Sequence, residues 1–325
     1  MLLVGDIGGT HARLSLATPS GRVTRRHTFE SRAFGSLEDV IRAFLGDRAP
    51  RITAGAFGVA GPVVGGRCVA TNLPWVVDAR TLSRRLGIGR VTLLNDLVAL
   101  ALGAIAVAPS KLRVLGGAGR PRRRGASVAV LAAGTGLGEA LLVWDGERYV
   151  PTATEGGHVE FGPRDDREVD LLRVMRARFG HVSYERLVSG AGLGHLYDFL
   201  RDERGLGESR ARTAALASAA DRNAEITRMG LAGESRTAVA ALELFASIYG
   251  AEAGNLALKS LATGGVLVCG NIANRMLPVL ERGGFMKAFV AKGRFEPLMR
   301  TIPVAVVTDS EVGLAGALRA ARATI

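Results

Sequence analysis

Residues 2–16 read LLVGDIGGTHARLSL: two apolar stretches of strand character separated by an acid, Asp6, and two adjacent glycines, Gly8 and Gly9. A second segment of the same kind, GTGLGEALLV, opens at Gly134. In both, the residues after the glycines keep strand character, so each reads as strand, glycine turn, strand. Two such units, each heading its own stretch of chain, predict a duplicated architecture of two lobes with a cleft between them.

A glycine-rich turn of this kind has three competing explanations. A dinucleotide-binding fingerprint needs a helix after the glycines, and the continuing strand character argues against it. A Walker A loop needs lysine directly after glycine; the lysines are Lys111, Lys259, Lys287 and Lys292, and none follows a glycine. The third is a hairpin shaped to hold phosphate. Glycine permits positive φ and close backbone approach, and successive N–H groups form an anion-binding nest. Thr10 and Thr135 would add hydroxyl donors. Asp6 beside a phosphate requires a cation between them, which suits Mg²⁺ held through water. An ordinary hairpin with an Asx-type turn is the alternative.

At 325 residues, 48% hydrophobic, the chain is long and apolar enough for one large globular domain or two ordinary ones. The longest apolar run, Leu97 to Ala108, is short of the roughly 20 residues that cross a bilayer. MLLVGD lacks the basic start of a signal peptide. These features predict a soluble cytoplasmic protein without a membrane partner. Cys68 and Cys269 are isolated and in apolar surroundings, which predicts buried reduced thiols. The net charge of +12 raises the question of nucleic acid, but the one dense basic run, GRPRRRG from Gly119 to Gly125, lacks interleaved aromatics. It reads as a solvated loop, so no nucleic-acid partner is expected, while anionic substrates would be attracted generally.

Strands and helices mix up to about residue 106. Ser36 is placed to cap a helix whose apolar face is Leu37, Val40, Ile41, Phe44 and Leu45. The glycine- and arginine-rich stretch from Arg113 to Gly125 is a candidate boundary, and long helical stretches follow, one of them running through ARTAALASAADRNAEITRMGL. The class is α/β with a mostly helical second lobe.

Several polar groups stand out. Asn95 and Asp96 fall where a strand gives way to a helix; Asp96 could be a helix cap or a general base. Glu155 and His158 flank Gly156 and Gly157 in TEGGHVEFGP, where the glycines would let the loop lie close to a ligand. Glu160 is expected to point outward. Glu185 opens a helical stretch, where an acid is also simply favourable. His181 and His195 read as ordinary packing or surface residues. Gly264, Gly265 and Gly270 bracket a strand and can be strand ends and a helix cap.

Taken together, GDIGGTHARLSL, LLNDLVALALG, GTGLGEA, EGGHVEF, YERLVSG and GGVLVCGNIANR, in order from about residue 3 to 318, resemble the bacterial glucokinase family. That resemblance implies the two-lobed actin/hexokinase-like (ribonuclease H-like) α/β fold with an interlobe cleft. One lobe would comprise 1–108 plus 300–325 and the other 109–299. It implies ATP-dependent phosphorylation of D-glucose at the 6-hydroxyl, with Asp96 as base and Asn95, Asp96, Glu155, His158 and Glu185 on the sugar. Gly5, Asp6, Ile7, Gly8, Gly9 and Thr10, with Gly134, Thr135, Gly136 and Gly138, would hold the phosphates. Gly265 and Gly270 would line the adenosine, Asp6 would face Mg²⁺ through water, and the chain would form a homodimer. Two departures matter. Residues 159–175 contain no cysteine, so the structural zinc of the related repressor/kinase group is not expected, and His11 stands where the family usually has Asn. The rivals are a kinase for another hexose and a non-catalytic sugar sensor. The sensor would carry a DNA-binding segment ahead of the kinase domain, and only five residues precede Asp6.

Overall fold

The computed structural model describes every residue except Arg48, Arg120, Arg122, Arg123 and Ile325, so three arginines of the basic run lie outside the described residues. The chain divides into two compact units. Met1–Pro109, Pro151–Ala153 and Asp309–Ile325 form the first, and Ser110–Val150 and Thr154–Thr308 the second.

The first unit begins with β1 (Leu2–Ile7), β2 (His11–Ala17) and β3 (Val23–Glu30), followed by α1 (Leu37–Leu45), where the Ser36 side chain accepts from Asp39 N. β4 (Ala54–Val59) leads into three short strands, β5 (Val63–Val64), β6 (Arg67–Val69) and β7 (Val76–Asp78). α2 (Ala79–Leu86), β8 (Val91–Asn95) and α3 (Asp96–Ala104) complete this stretch. The main sheet has the order β3-β2-β1-β4-β8, with β1, β4 and β8 parallel. Strand alternation gives β1 two faces. Leu3 and Ile7 enter the core with Phe44, Phe57 and Trp75, whereas Leu2 and Val4 point to the opposite side. Asp6 shares the Leu2–Val4 side of the strand. The β5-β6-β7 sheet is absent from the sequence reading, because its strands are two or three residues long and carry no measurable period.

The second unit contains β9 (Leu112–Gly116), β10 (Val128–Ala133), β11 (Leu137–Trp144) and the two ends of β12 (Tyr149–Thr154), whose middle residues Pro151–Ala153 group with the first. Helices α4 (Asp166–Phe179), α5 (Gly190–Asp202), α6 (Arg210–Ser218), α7 (Arg222–Leu231) and α8 (Arg236–Lys259) follow. β13 (Gly265–Cys269), α9 (Asn271–Arg275), α10 (Leu277–Leu280), α11 (Gly284–Val290), α12 (Glu296–Thr301) and β14 (Val304–Val307) close it. The six-stranded sheet runs β12-β11-β10-β13-β14-β9. β9 pairs with β14, so the Arg113–Gly125 stretch begins inside this sheet. The single helical stretch expected over residues 211–231 is two helices, because the Asp221 carboxylate caps a new N-terminus at Asn223 N and Ala224 N. α8 is buried along most of its length, with Phe245, Ile248 and Tyr249 fully enclosed.

The chain then returns to the first unit with α13 (Val312–Arg322). Leu314, Ala317 and Ala321 pack on Leu2, Val4, Ala54 and Ala56. Residues 300–308, grouped with the first lobe by the sequence reading, lie in the second unit, because β14 pairs with β13. α13 crosses α3 at glycines: a Cβ on Gly316 would overlap Ala99 O, and one on Gly103 would overlap Val312 O. Cys68 and Cys269 are free and buried. No helix among the described residues is long and apolar enough to cross a membrane.

Candidate active site

In the first unit the parallel register aligns Ile7 with Val59 and Val59 with Asn95. The residues that follow β1 and β8 therefore emerge at the same carboxyl edge of the sheet, where ligands of open α/β sheets bind. This brings Asp6 to Thr10 and Asn95–Asp96 to one edge. Gly58 permits the arrangement, since a Cβ there would lie 2.8 Å from Ala99 Cβ and 3.5 Å from Asp96 Cα.

The β1–β2 turn is shaped by a residue outside it. Gly8 N donates to His11 O at 2.9 Å, which closes the hairpin. Ser31, fully buried, donates its hydroxyl to Gly8 O at 2.8 Å and its N–H to Thr10 O at 2.9 Å. Both carbonyls are thereby turned inward, and Thr10 is exposed. Gly8 and Gly9 do not adopt positive φ. Gly9 is needed because a Cβ would press on Asn72 Cβ at 2.7 Å. The Ile7 side chain enters the core while its backbone ends the strand at this edge; a Cβ on Gly5 would meet Phe57 at 2.7 Å and Leu14 at 2.9 Å, so packing accounts for this glycine.

Asp6 receives Arg13 Nη1 on Oδ2 at 3.2 Å. Desolvation raises its pKa above the ordinary carboxylate value, against the opposing pull of Arg13. A carboxylate that is short of water and has one cationic neighbour is a fitting partner for a hydrated Mg²⁺. Among the described residues no cluster of three or more His, Cys, Asp or Glu side chains could hold a metal by itself, so the remaining ligands would be water and substrate phosphate.

Asn95, not Asp96, caps α3: its Oδ1 accepts from Leu97 N at 2.9 Å and Val98 N at 3.3 Å. Its Nδ2 donates one amide hydrogen to Gly61 O at 3.2 Å; the amide carries a second. Asp96 is the first residue of the helix; Oδ1 accepts from Leu97 N at 3.0 Å.

In the second unit the β10–β11 turn is closed by Gly134 N donating to Gly136 O at 2.8 Å, and Gly134 O accepts from Gly190 N at 2.9 Å. Gly134, Gly136 and Gly138 also lack positive φ. Gly134 faces open space, and Thr135 is exposed. Gly138 pairs with Ala132 in the hairpin. Glu185 Oε2 accepts from Leu137 N at 3.0 Å, and a Cβ on Gly136 would overlap that oxygen. His158 lies between two carboxylates: Nδ1 is 3.9 Å from Glu185 Oε1, and Nε2 is 4.0 Å from Glu155 Oε2. Three of the five residues assigned to sugar, Glu155, His158 and Glu185, thus form one cluster, tied through Glu185 to the second glycine turn. Glu160 is exposed, as expected.

Gly156 and Gly157 serve this cluster differently from the sequence reading. Their closeness is to the protein, since Cβ atoms there would overlap Glu139 Oε2 and Leu137 O. His181, read as ordinary, has Nε2 within 3.0 Å of His158 O and so props the turn. Gly270 caps α9 at φ 94, a conformation that requires glycine, and abuts Ala133 O. Gly265 sits at the opposite end of β13, at φ 120 against Pro121 and Pro303 O. Backbone geometry explains it, and it does not join the turn.

Among solved structures, the glucokinase from an Antarctic psychrotroph matches with a TM-score of 0.84 at 29% identity, covering 99% of this chain and 98% of that one. The glucokinase from Balamuthia mandrillaris, solved in complex with glucose, matches in fold with a TM-score of 0.81 at 23% identity, covering 99% and 93%. Fold and paired glycine turns define a sugar kinase of the actin/hexokinase type. The Glucokinase family profile matches residues 3–324. The Glucokinase of Synechocystis sp. is 38% identical over 343 aligned positions, covering 97% of this chain and 96% of that protein. The chain belongs to the glucokinase family and is an enzyme.

Proposed function

We propose that the protein transfers the γ-phosphoryl group of ATP to the 6-hydroxyl of D-glucose. The observation that carries this is the Glu155–His158–Glu185 cluster, anchored at Leu137 N beside a phosphate-type turn. Glu accepts from sugar hydroxyls and His can donate or accept, so the cluster matches a polyol. A site built this way would favour a sugar that pairs each of these groups over one lacking a hydroxyl.

Asn95 donates to a sugar oxygen, and Asp96 orients the 6-hydroxyl. As the O6–P bond forms and the bond from phosphorus to the β,γ-bridging oxygen breaks, the hydroxyl proton passes to the Asp96 carboxylate and ADP departs. Residues 6–10 and 134–138, with Gly270, hold the nucleotide. Mg²⁺, facing Asp6 through water, would neutralise phosphate charge. Cytoplasmic residence and a homodimeric state belong to the same proposal.

The test is ADP release from ATP·Mg²⁺ with glucose, mannose, fructose, N-acetylglucosamine or no sugar. Strong glucose-dependent turnover is expected. Turnover with another sugar alone would replace the substrate, and no turnover from folded protein would favour a sugar sensor.

Ser31→Ala tests the turn. Removing the hydroxyl leaves Gly8 O without its donor, at a cost of about 1–3 kcal/mol. The KM for ATP is expected to rise about five- to tenfold, with the KM for glucose near its original value. Equal increases in both constants would show that Ser31 supports the unit generally.

A further inference from the structure

Beneath the sugar cluster lies a pair of carboxyl groups that the reaction does not use. Glu139 follows the second glycine turn on β11 and is 2% exposed; Glu252, on α8, is fully buried. Glu139 lies directly under the turn of residues 156–158, so close that a Cβ on Gly156 would overlap its Oε2. Thr154 reinforces this contact, its hydroxyl donating to Glu139 O at 3.1 Å and accepting from Gly156 N at 3.2 Å.

Glu139 Oε1 and Glu252 Oε1 are buried with no hydrogen-bond partner among the described residues, and the two carboxyl groups lie within hydrogen-bond reach of each other. Two ionised carboxylates are acceptors only and cannot bond to each other. One shared proton resolves both problems. The surrounding charges do not replace it. Asn255 Nδ2 donates to Glu252 Oε2 at 2.8 Å, and Lys259 Nζ is 3.8 Å from Glu252 Oε1. Lys292 is committed to Asn255 Oδ1 at 2.5 Å and Ala251 O at 2.9 Å. Arg164 is bound to Glu168 and to Ser247 at 3.0 Å. The Tyr184 hydroxyl accepts from Asn255 at 2.9 Å, and that of Tyr249 accepts from Ala133 N at 3.2 Å. Burial and the neighbouring carboxylate raise Glu139 far above the ordinary range, and burial lowers Lys292 to about 8.

We propose that Glu139 is a positioning residue for sugar binding: the proton it shares with Glu252 keeps the carboxyl pair packed under Gly156, and its loss displaces the turn that carries Glu155 and His158. This rests on the assignment of Glu155 and His158 to the sugar. Below the pH at which the proton leaves, the turn is supported. Above it, a second buried negative charge repels the first, and the turn yields.

The test is glucose affinity by calorimetry from pH 6.5 to 9.5, without nucleotide, for the parent and Glu139→Gln, alongside infrared spectra of the carboxylic acid C=O band. In the parent, the glucose Kd should be flat at low pH and climb above about pH 8, by up to about tenfold per pH unit. A buried acid band should fade over the same range. In Glu139→Gln the amide donates to Glu252 at every pH, so the band should be missing and the climb abolished. A climb of equal size in Glu139→Gln overturns the proposal and assigns the titration to Lys292 or another group. A flat parent Kd overturns it too. If the parent binds no glucose at any pH, the sugar assignment fails and takes this inference with it. Should Glu139→Gln not fold, Glu252→Gln places the same donor on the other partner and is read identically.

Discussion

Asp96→Asn is expected to lower kcat for glucose phosphorylation by about 10²–10⁴-fold while changing the glucose Kd by less than about threefold. Asparagine preserves the oxygen that accepts from Leu97 N at 3.0 Å, so the start of α3 should keep its form. What is lost is the carboxylate proposed to take the proton from the 6-hydroxyl. Deprotonation contributes as the bond to phosphorus forms and adds little to the ground state, so the effect belongs in kcat. Steady-state kinetics paired with calorimetric glucose binding would separate the two. A fall in affinity matching the fall in kcat would make Asp96 a sugar ligand without a role as base.

Gly316→Ala should produce the largest loss of stability from a single added methyl group. At the α3–α13 crossing the two backbones approach so closely that a Cβ on Gly316 would overlap Ala99 O and lie 2.8 Å from Gly103 N. Backbone cannot move aside as a side-chain tip can, so the helices must separate, and α13 is lifted from Leu2, Val4, Ala54 and Ala56. Overpacking of this kind costs about 1–3 kcal/mol or more, and Gly316→Val should leave the first unit unable to close. The control is Gly284→Ala. Gly284 begins α11 with nothing near its missing Cβ, and the same change there should be neutral or stabilising by up to about 1 kcal/mol. Thermal unfolding of both variants is decisive; indistinguishable midpoints would show that the crossing relaxes without cost.

Much of this molecule can be read in its sequence because the signals are local. Ser36 caps α1 as expected, and the two glycine turns connect strands as their flanking residues indicate. Asn95 and Asp96 fall at a strand–helix junction, but which of them caps the helix depends on side-chain rotation, and the structure gives that role to Asn95. Glycine is where local reading loses its grip. Gly5, Gly9, Gly136, Gly156 and Gly265 look alike in sequence, yet each answers to a different neighbour: the Phe57 ring, Asn72, the Glu185 carboxylate, Glu139, and a backbone angle. Those neighbours are remote in the chain, and so are Ser31 from Gly8 and Glu252 from Glu139. No periodicity records such pairings. They arise when topology folds distant segments onto one another.

The return of α13 to the first unit has a consequence for biosynthesis. Leu2, Val4, Ala54 and Ala56 leave the ribosome more than 250 residues ahead of Leu314, Ala317 and Ala321, which cover them. At about 5–20 residues per second, that gap lasts on the order of ten seconds or more. Throughout it, one apolar side of the nascent sheet lacks its permanent cover, and the second unit can complete its own core first. A chaperone that shields β1 and β4 during that wait would act on this chain before its first unit exists as a folded body.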